Sequence, residues 1–179
     1  MAPDLLQSSP VAEALLSDRG AADRVERMGL YSWLIGHWEM DVVQHLGGSQ
    51  PRRTRGEVHA GWVLQGRAIQ DVWIVPARDA AGVAPAERGD FYGTTLRIYD
   101  PGLDAWHILW ADPVRQFYRR QLGRAHGRDI VQDGEDETGT AVRWRFTEIT
   151  DHSFHWLGER AAGDGWELNT EFFARRVAA

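Results

Sequence analysis

The stretch "GWVLQGRAIQDVWIVP" (61–76) decides how this chain folds. Two apolar runs flank Gln65-Gly66, and a short turn containing glycine between such runs joins antiparallel strands. Centring a two-residue turn there sets Leu64 opposite Arg67, Trp62 opposite Ile69, Ala60 opposite Asp71 and Val58 opposite Trp73. Opposed residues share a face of the sheet. Val58, Ala60, Trp62, Ile69, Trp73 and Val75 make the more apolar face, which points inward. Glu57, His59, Ala68, Gln70 and Val72 make the other, which points outward. A slip of one residue would reverse both faces, and the apolar pattern is what forbids it. Asp71 therefore goes inside with the tryptophans.

The same period of two begins at Gly36 and runs to the end of the chain. It gives strands near 37–45, 53–63, 67–75, 92–99, 105–111, 115–122, 126–132, 140–148, 153–159 and 166–176. The separators carry turn chemistry: "GGSQP", "QG", "DPGLD", "DP", "GR", "DGEDETG", "TDH" and "AAGDG". The longest irregular stretch, "PARDAAGVAPAERGDF" (76–91), reads as a loop or a flap over a barrel mouth. The acidic "DGEDETG" reads as a solvated hairpin tip. Many strands joined by short loops form a meander, and closing it removes its exposed edges. The expected fold class is all-β: an antiparallel up-and-down β-barrel of about 8–10 strands, with N-terminal helix capping one end.

That helix is read in residues 1–35. Ser9-Pro10 has the form of a cap followed by proline at the first helical position, ahead of "VAEALLSDRG", where Gly20 ends the pattern. A second short helix is expected in "AADRVERMGLYSWL", with Val25, Met28 and Leu30-Tyr31 on one apolar face. Residues 1–35 are thus expected to be a helical cover and 36–179 the barrel, together one domain.

Composition narrows the function classes. The 179 residues suffice for one domain with a real core. The net charge of −6 disfavours nucleic acid as a partner. All 20 basic residues are arginine, a bias attributed to a GC-rich genome, and without lysine no Schiff-base chemistry is open. The absence of cysteine removes disulfides, thiolate nucleophiles and Cys-ligated metals. "MAPDLLQSSP" has neither a basic region nor a long apolar run, so a cytoplasmic location is expected, with no membrane partner.

"GHWEM" (Gly36, Trp38) heads the first barrel strand and "FFARR" (Arg175, Arg176) closes the last. This resembles the G-x-W start and late arginine of the lipocalin and fatty-acid-binding superfamily, the calycins. The resemblance implies that Trp38 plugs the barrel floor and that Arg175 or Arg176 packs across it. The runs "GEVHAGWVLQGRAIQDVWIVP" and "YGTTLRIYDPGLDAWHILWADP" are similar to a bacterial group of lipocalin-like domains of unknown function, over residues 31–176. Two features depart from the superfamily: the secretion signal and disulfides of many lipocalins are missing. Met40 and Val42 also stand where nitrobindin-like haem barrels have glycines, so no haem or other cofactor is expected.

Alternation along the strands puts Trp38, Met40, Trp62, Asp71, Trp73, Trp106, Trp110, Trp144, Phe146, Trp156 and Phe172 inside, as the expected ligand-binding surface. Trp166 and Leu168 fall on the same face as Phe172. Asp71 is the clearest ionisable group among them. It is either paired with an arginine, Arg97 being nearest by strand order, or anchors a ligand, or acts as a general acid or base. Glu57 and His59 share an outer face, but two donors do not make a metal site, and no metal is expected. His152 and His155 fall on opposite faces.

Three functions remain open. The first is a carrier or sensor for an apolar, planar small molecule in a Trp-lined interior. The second is an enzyme of the cyclase or isomerase type, free of metal and redox cofactor, with Asp71 as its catalytic acid or base. The third is a ligandless barrel acting through its surface as an interaction or homodimer module.

Overall fold

A computed structural model describes residues 9–47, 50–79 and 89–178. Helices α1 (Pro10–Leu15) and α2 (Val25–Ser32) come first, and the two-residue strand β1 (Leu16–Ser17) lies between them. Ten long strands follow: β2 (Gly36–Gln44), β3 (Arg52–Val63), β4 (Ala68–Val75), β5 (Phe91–Asp100), β6 (Ala105–Asp112), β7 (Phe117–His126), β8 (Asp129–Glu135), β9 (Ala141–Thr147), β10 (Ser153–Ala162) and β11 (Gly165–Arg176). Consecutive strands pair antiparallel from β2 to β11, and β11 returns to pair with β2. The sheet is therefore closed, an up-and-down barrel of ten strands among the described residues.

The register of the decisive hairpin is the one read from its apolar pattern. Val58 lies opposite Trp73, Ala60 opposite Asp71 and Trp62 opposite Ile69. The turn itself is wider than two residues: Leu64, Gln65 and Gly66 all have left-handed φ, and the last ladder pair is Val63 with Ala68. The N-terminal segment grips this turn. Leu64 N–H donates to the Leu15 carbonyl, Gly66 N–H to Ser17 Oγ, and Ala21 N–H to the Gly66 carbonyl. A Cβ on Gly66 would lie 2.2 Å from the Arg19 carbonyl oxygen, so only glycine lets the two segments meet.

Several local expectations are corrected. The first helix stops at Leu15 because Leu16 and Ser17 leave it to pair with Val63 and Trp62. Ser9 stands at the cap position without a side-chain cap bond. On α2, Met28 and Tyr31 are buried, but Val25 is exposed. The "GR" at 123–124 does not end a strand; β7 runs on to His126 and turns at Gly127-Arg128. In β10 and β11 the register shifts between Gly158 and Glu159. Trp166 consequently faces outward, under the Arg143 guanidinium at 4.1 Å, and not with Phe172. Of the expected loop at 76–91, residues 80–88 lie outside those described.

The end of α2 plugs the barrel. Tyr31 and Leu34 have no exposed surface, and Tyr31 meets the edges of Trp106 and Phe146. Trp33 packs edge-on against Trp38, Phe146 and Phe154. Trp38 is fully buried, donates its indole N–H to the Leu34 carbonyl at 2.8 Å, and carries the Arg176 guanidinium 4.0 Å above its ring. Arg176 also donates to the carbonyls of Ile35, Trp33 and Asp151. Arg175 instead turns outward to Asp41. No helix among the described residues is long and apolar enough to cross a membrane.

Candidate functional site

At the opposite end from α2 the described residues leave the interior unfilled. Strand ends β2, β4, β6 and β10 and strand starts β5, β7, β9 and β11 surround a cavity of about 260 Å³. Its wall is aromatic because inward parity puts a ring at this height on strand after strand: Trp73, Phe91, Trp110, Phe117, Trp144, Trp156 and Phe172. Trp156 and Phe172 stack with centroids 4.5 Å apart, while Trp110 meets Phe91 and Trp144 edge-on. Two glycines make room for these rings. A Cβ on Gly93 would come within 2.4 Å of the Trp110 ring, and one on Gly158 within 2.8 Å of the Trp156 ring.

The floor of the cavity is polar. Arg97 and Thr95 are almost wholly buried there. Arg97 Nε donates to Asp71 Oδ2 at 2.6 Å and its Nη1 donates to Gln132 Oε1 at 2.8 Å. The other Asp71 oxygen accepts the Trp73 indole N–H. Below this layer the guanidinium lies 4.9 Å from the Tyr31 ring centroid and 5.5 Å from that of Phe146, close enough for cation–π attraction. The Tyr31 hydroxyl beside it lacks a hydrogen bond of normal geometry. Burial pushes the Tyr31 phenol well above its usual range, although the adjacent Arg97 charge opposes this.

The rim brings in further polar groups. Asp112, 1% exposed, accepts the N–H groups of Val114 and Arg115, and the turn so formed carries Arg115 to the mouth. Arg119 lines the wall with a side chain only 8% exposed. One guanidinium N–H donates to the Glu135 carbonyl, and its buried Nε has no hydrogen-bond partner among the described residues. On the other side Arg52 bridges Gln44 and Asp90, and Gln44 donates to the Gly89 carbonyl. These bonds tie the described end of the 76–91 loop to the rim.

The eleven inward residues read from the sequence separate by height. Trp73, Trp110, Trp144, Trp156 and Phe172 line the cavity. Trp38, Met40, Trp106 and Phe146 lie in the packed core nearer the plug. Trp62 packs under Gly20 of the N-terminal segment. Asp71 has no exposed surface, and both its oxygens are engaged within the floor. Phe91, Thr95, Arg97, Arg115, Phe117 and Arg119 also line the site. Of these, the inward positions of Thr95 and Arg97 follow from strand parity once Asp71 is placed, because Thr95 lies directly opposite Asp71.

No family model and no curated protein matches the sequence. Solved structures do. Rv2717c from M. tuberculosis superposes with a TM-score of 0.57 at 15% identity, over 85% of this chain and 98% of that one. The S-type phycobiliprotein lyase CPES from Guillardia theta superposes with a TM-score of 0.56 at 10% identity, over 89% and 99%. The likeness shows the fold alone, a closed ten-stranded antiparallel up-and-down barrel.

Proposed function

We propose that this protein is a small-molecule-binding member of the calycin-like bacterial barrels, and that it holds a planar, mainly apolar molecule in the mouth cavity. The observation that carries the reading is a space left open among the described residues, walled by seven aromatic rings above a charge-compensated floor. Its volume of about 260 Å³ falls just below the usual range of ligand pockets, about 300–1,000 Å³, which suits a compact fused-ring compound better than a long chain. Ring stacking and burial supply affinity without demanding exact polar geometry. The unpartnered Nε–H of Arg119 favours a molecule with an acceptor on one edge. The fold shared with a phycobiliprotein lyase supports a barrel able to hold a ligand; that protein's activity is not carried over to this chain.

The geometry around Asp71 does not favour the acid–base reading. A general acid or base must reach its substrate, and this carboxylate is enclosed by Arg97 and Trp73. Native mass spectrometry of freshly purified protein, with calorimetric titration of anilinonaphthalene sulfonate into stripped protein, tests the proposal. One equivalent should bind to the wild type. Val142→Trp, which fills the mouth, should abolish binding while leaving the circular-dichroism spectrum unchanged. Equal binding by a correctly folded Val142→Trp protein would overturn the assignment.

A further inference from the structure

The outer wall carries a second arrangement, far from the ring-lined cavity in character. His37 on β2 and His59 on β3 are directly opposed in the ladder, and Glu57 stands two residues before His59 on the same outer face. The two imidazoles stack at 4.3 Å with an interplanar angle of 18°. Glu57 Oε2 lies 2.8 Å from His59 Nε2 and 3.9 Å from His37 Nε2. Among the described residues this is the one group of three such side chains whose donor atoms all lie within 4.8 Å of one another. Glu171 also has two histidine neighbours, His155 at 3.0 Å and His45 at 3.8 Å. They sit on its opposite oxygens and do not converge.

We propose that His37, Glu57 and His59 bind a divalent transition cation of the zinc class. Nitrogen and carboxylate ligands sit about 2.0–2.2 Å from zinc, so neighbouring donors of a tetrahedral site lie roughly 3.4 Å apart. The two observed separations straddle that value, and the donors come from a rigid two-strand ladder. Glu57 is buried although it faces outward. Its Oε1 accepts both the backbone N–H and the Nε–H of Arg78 at 2.8 Å, which orients the carboxylate with Oε2 toward the imidazoles. Hydrogen-bonded outer partners of this kind fix ligating carboxylates in metal sites. The Arg78 Nη2 now lies 3.0 Å from His59 Nε2 and also donates to Glu57 Oε2 at 3.1 Å, so it holds the place a cation would take. That side chain is 57% exposed, so its tip can swing into solvent when a cation enters, while its backbone N–H stays on Glu57. Three protein ligands leave a fourth position for water.

The test uses tag-free, chelator-stripped protein titrated calorimetrically with Zn²⁺ and spectroscopically with Co²⁺. The wild type should take up one equivalent of Zn²⁺, and Co²⁺ should give the intense visible bands of a tetrahedral site. His37→Gln and His59→Gln should each weaken Zn²⁺ by more than about tenfold, the lower bound for disturbing even an outer partner of a metal ligand. His155→Gln, in the other cluster, should bind as wild type does. Circular dichroism of all three verifies that the barrel is intact. Absence of binding to the wild type would overturn the proposal, as would full affinity in both His37→Gln and His59→Gln or an equal loss in His155→Gln.

Discussion

Asp71 and Arg97 have almost no contact with solvent, so each is the other's counter-ion and neither can turn to water. Breaking such a pair from one side strands a charge, at a cost of about 3–5 kcal/mol. Asp71→Asn should lose stability in that range by urea denaturation. The double variant Asp71→Leu with Arg97→Met should lose less than the sum of its single variants, because no uncompensated charge remains. Tyr31 gives the pH dependence. Its folded-state pKa is raised by burial above that of an unfolded tyrosine, so the folded state keeps a proton that the unfolded chain releases near pH 10. The stability this contributes is intact below about pH 10 and is lost as the pH rises from there through the folded value. Tyr31→Phe should therefore show a shallower alkaline decline than the wild type, by up to about 1.4 kcal/mol per pH unit. An identical slope in both proteins would contradict the burial of the phenol.

At the scale of elements, Gly123 explains both what the sequence revealed and what it hid. Glycine followed by arginine reads as a turn, yet here the missing side chain serves packing across the barrel. A Cβ at this position would lie 2.4 Å from the Tyr31 hydroxyl, so β7 passes under the plugging helix only as glycine. Gly123→Ala should cost about 1–3 kcal/mol through overpacking, and adding Tyr31→Phe should recover most of it in a double-mutant cycle. The β3–β4 hairpin was legible because one face is apolar at six positions and a slipped register would expose them all. The parity of β11 was not, since the bulge opposite Gly158 changes it and no residue type announces a bulge. The short α1 was hidden for a related reason. Leu16 and Ser17 find ladder partners in β3, a tertiary contact that local helix propensity does not anticipate.

For the whole molecule, alternation separates inside from outside but says nothing of height along the barrel axis. Closure into an up-and-down barrel of about 8–10 strands, with N-terminal helix at one end, followed from period and turn chemistry, whereas the exact strand number and the division of the interior into packed core, polar layer and cavity did not. Trp38 and Trp156 have the same parity; one is sealed beneath the plug and the other walls the mouth. Height depends on stagger between strands, which accumulates over the entire circuit. Arg176 belongs to this scale, because it joins the last strand to the carbonyls that end α2. Arg176→Ala should speed unfolding about tenfold or more, through lost charge-assisted hydrogen bonds, with little effect on the folding rate. Chevron kinetics would measure both arms, and a change confined to the folding arm would refute this ordering.

The pairing of β11 with β2 gives that ordering its significance. The bond from Arg176 to Ile35 spans 141 positions of sequence, so the seam of the cylinder joins its first and last staves. Every other long strand can find its neighbour as soon as the adjoining hairpin emerges during synthesis. The second edge of β2, whose first edge pairs with β3, must wait for nearly the whole chain, open meanwhile to any extended polypeptide nearby. Contacts this distant in sequence slow folding. The aggregation hazard of this protein is therefore set less by its finished surface than by how long the nascent sheet remains unsealed.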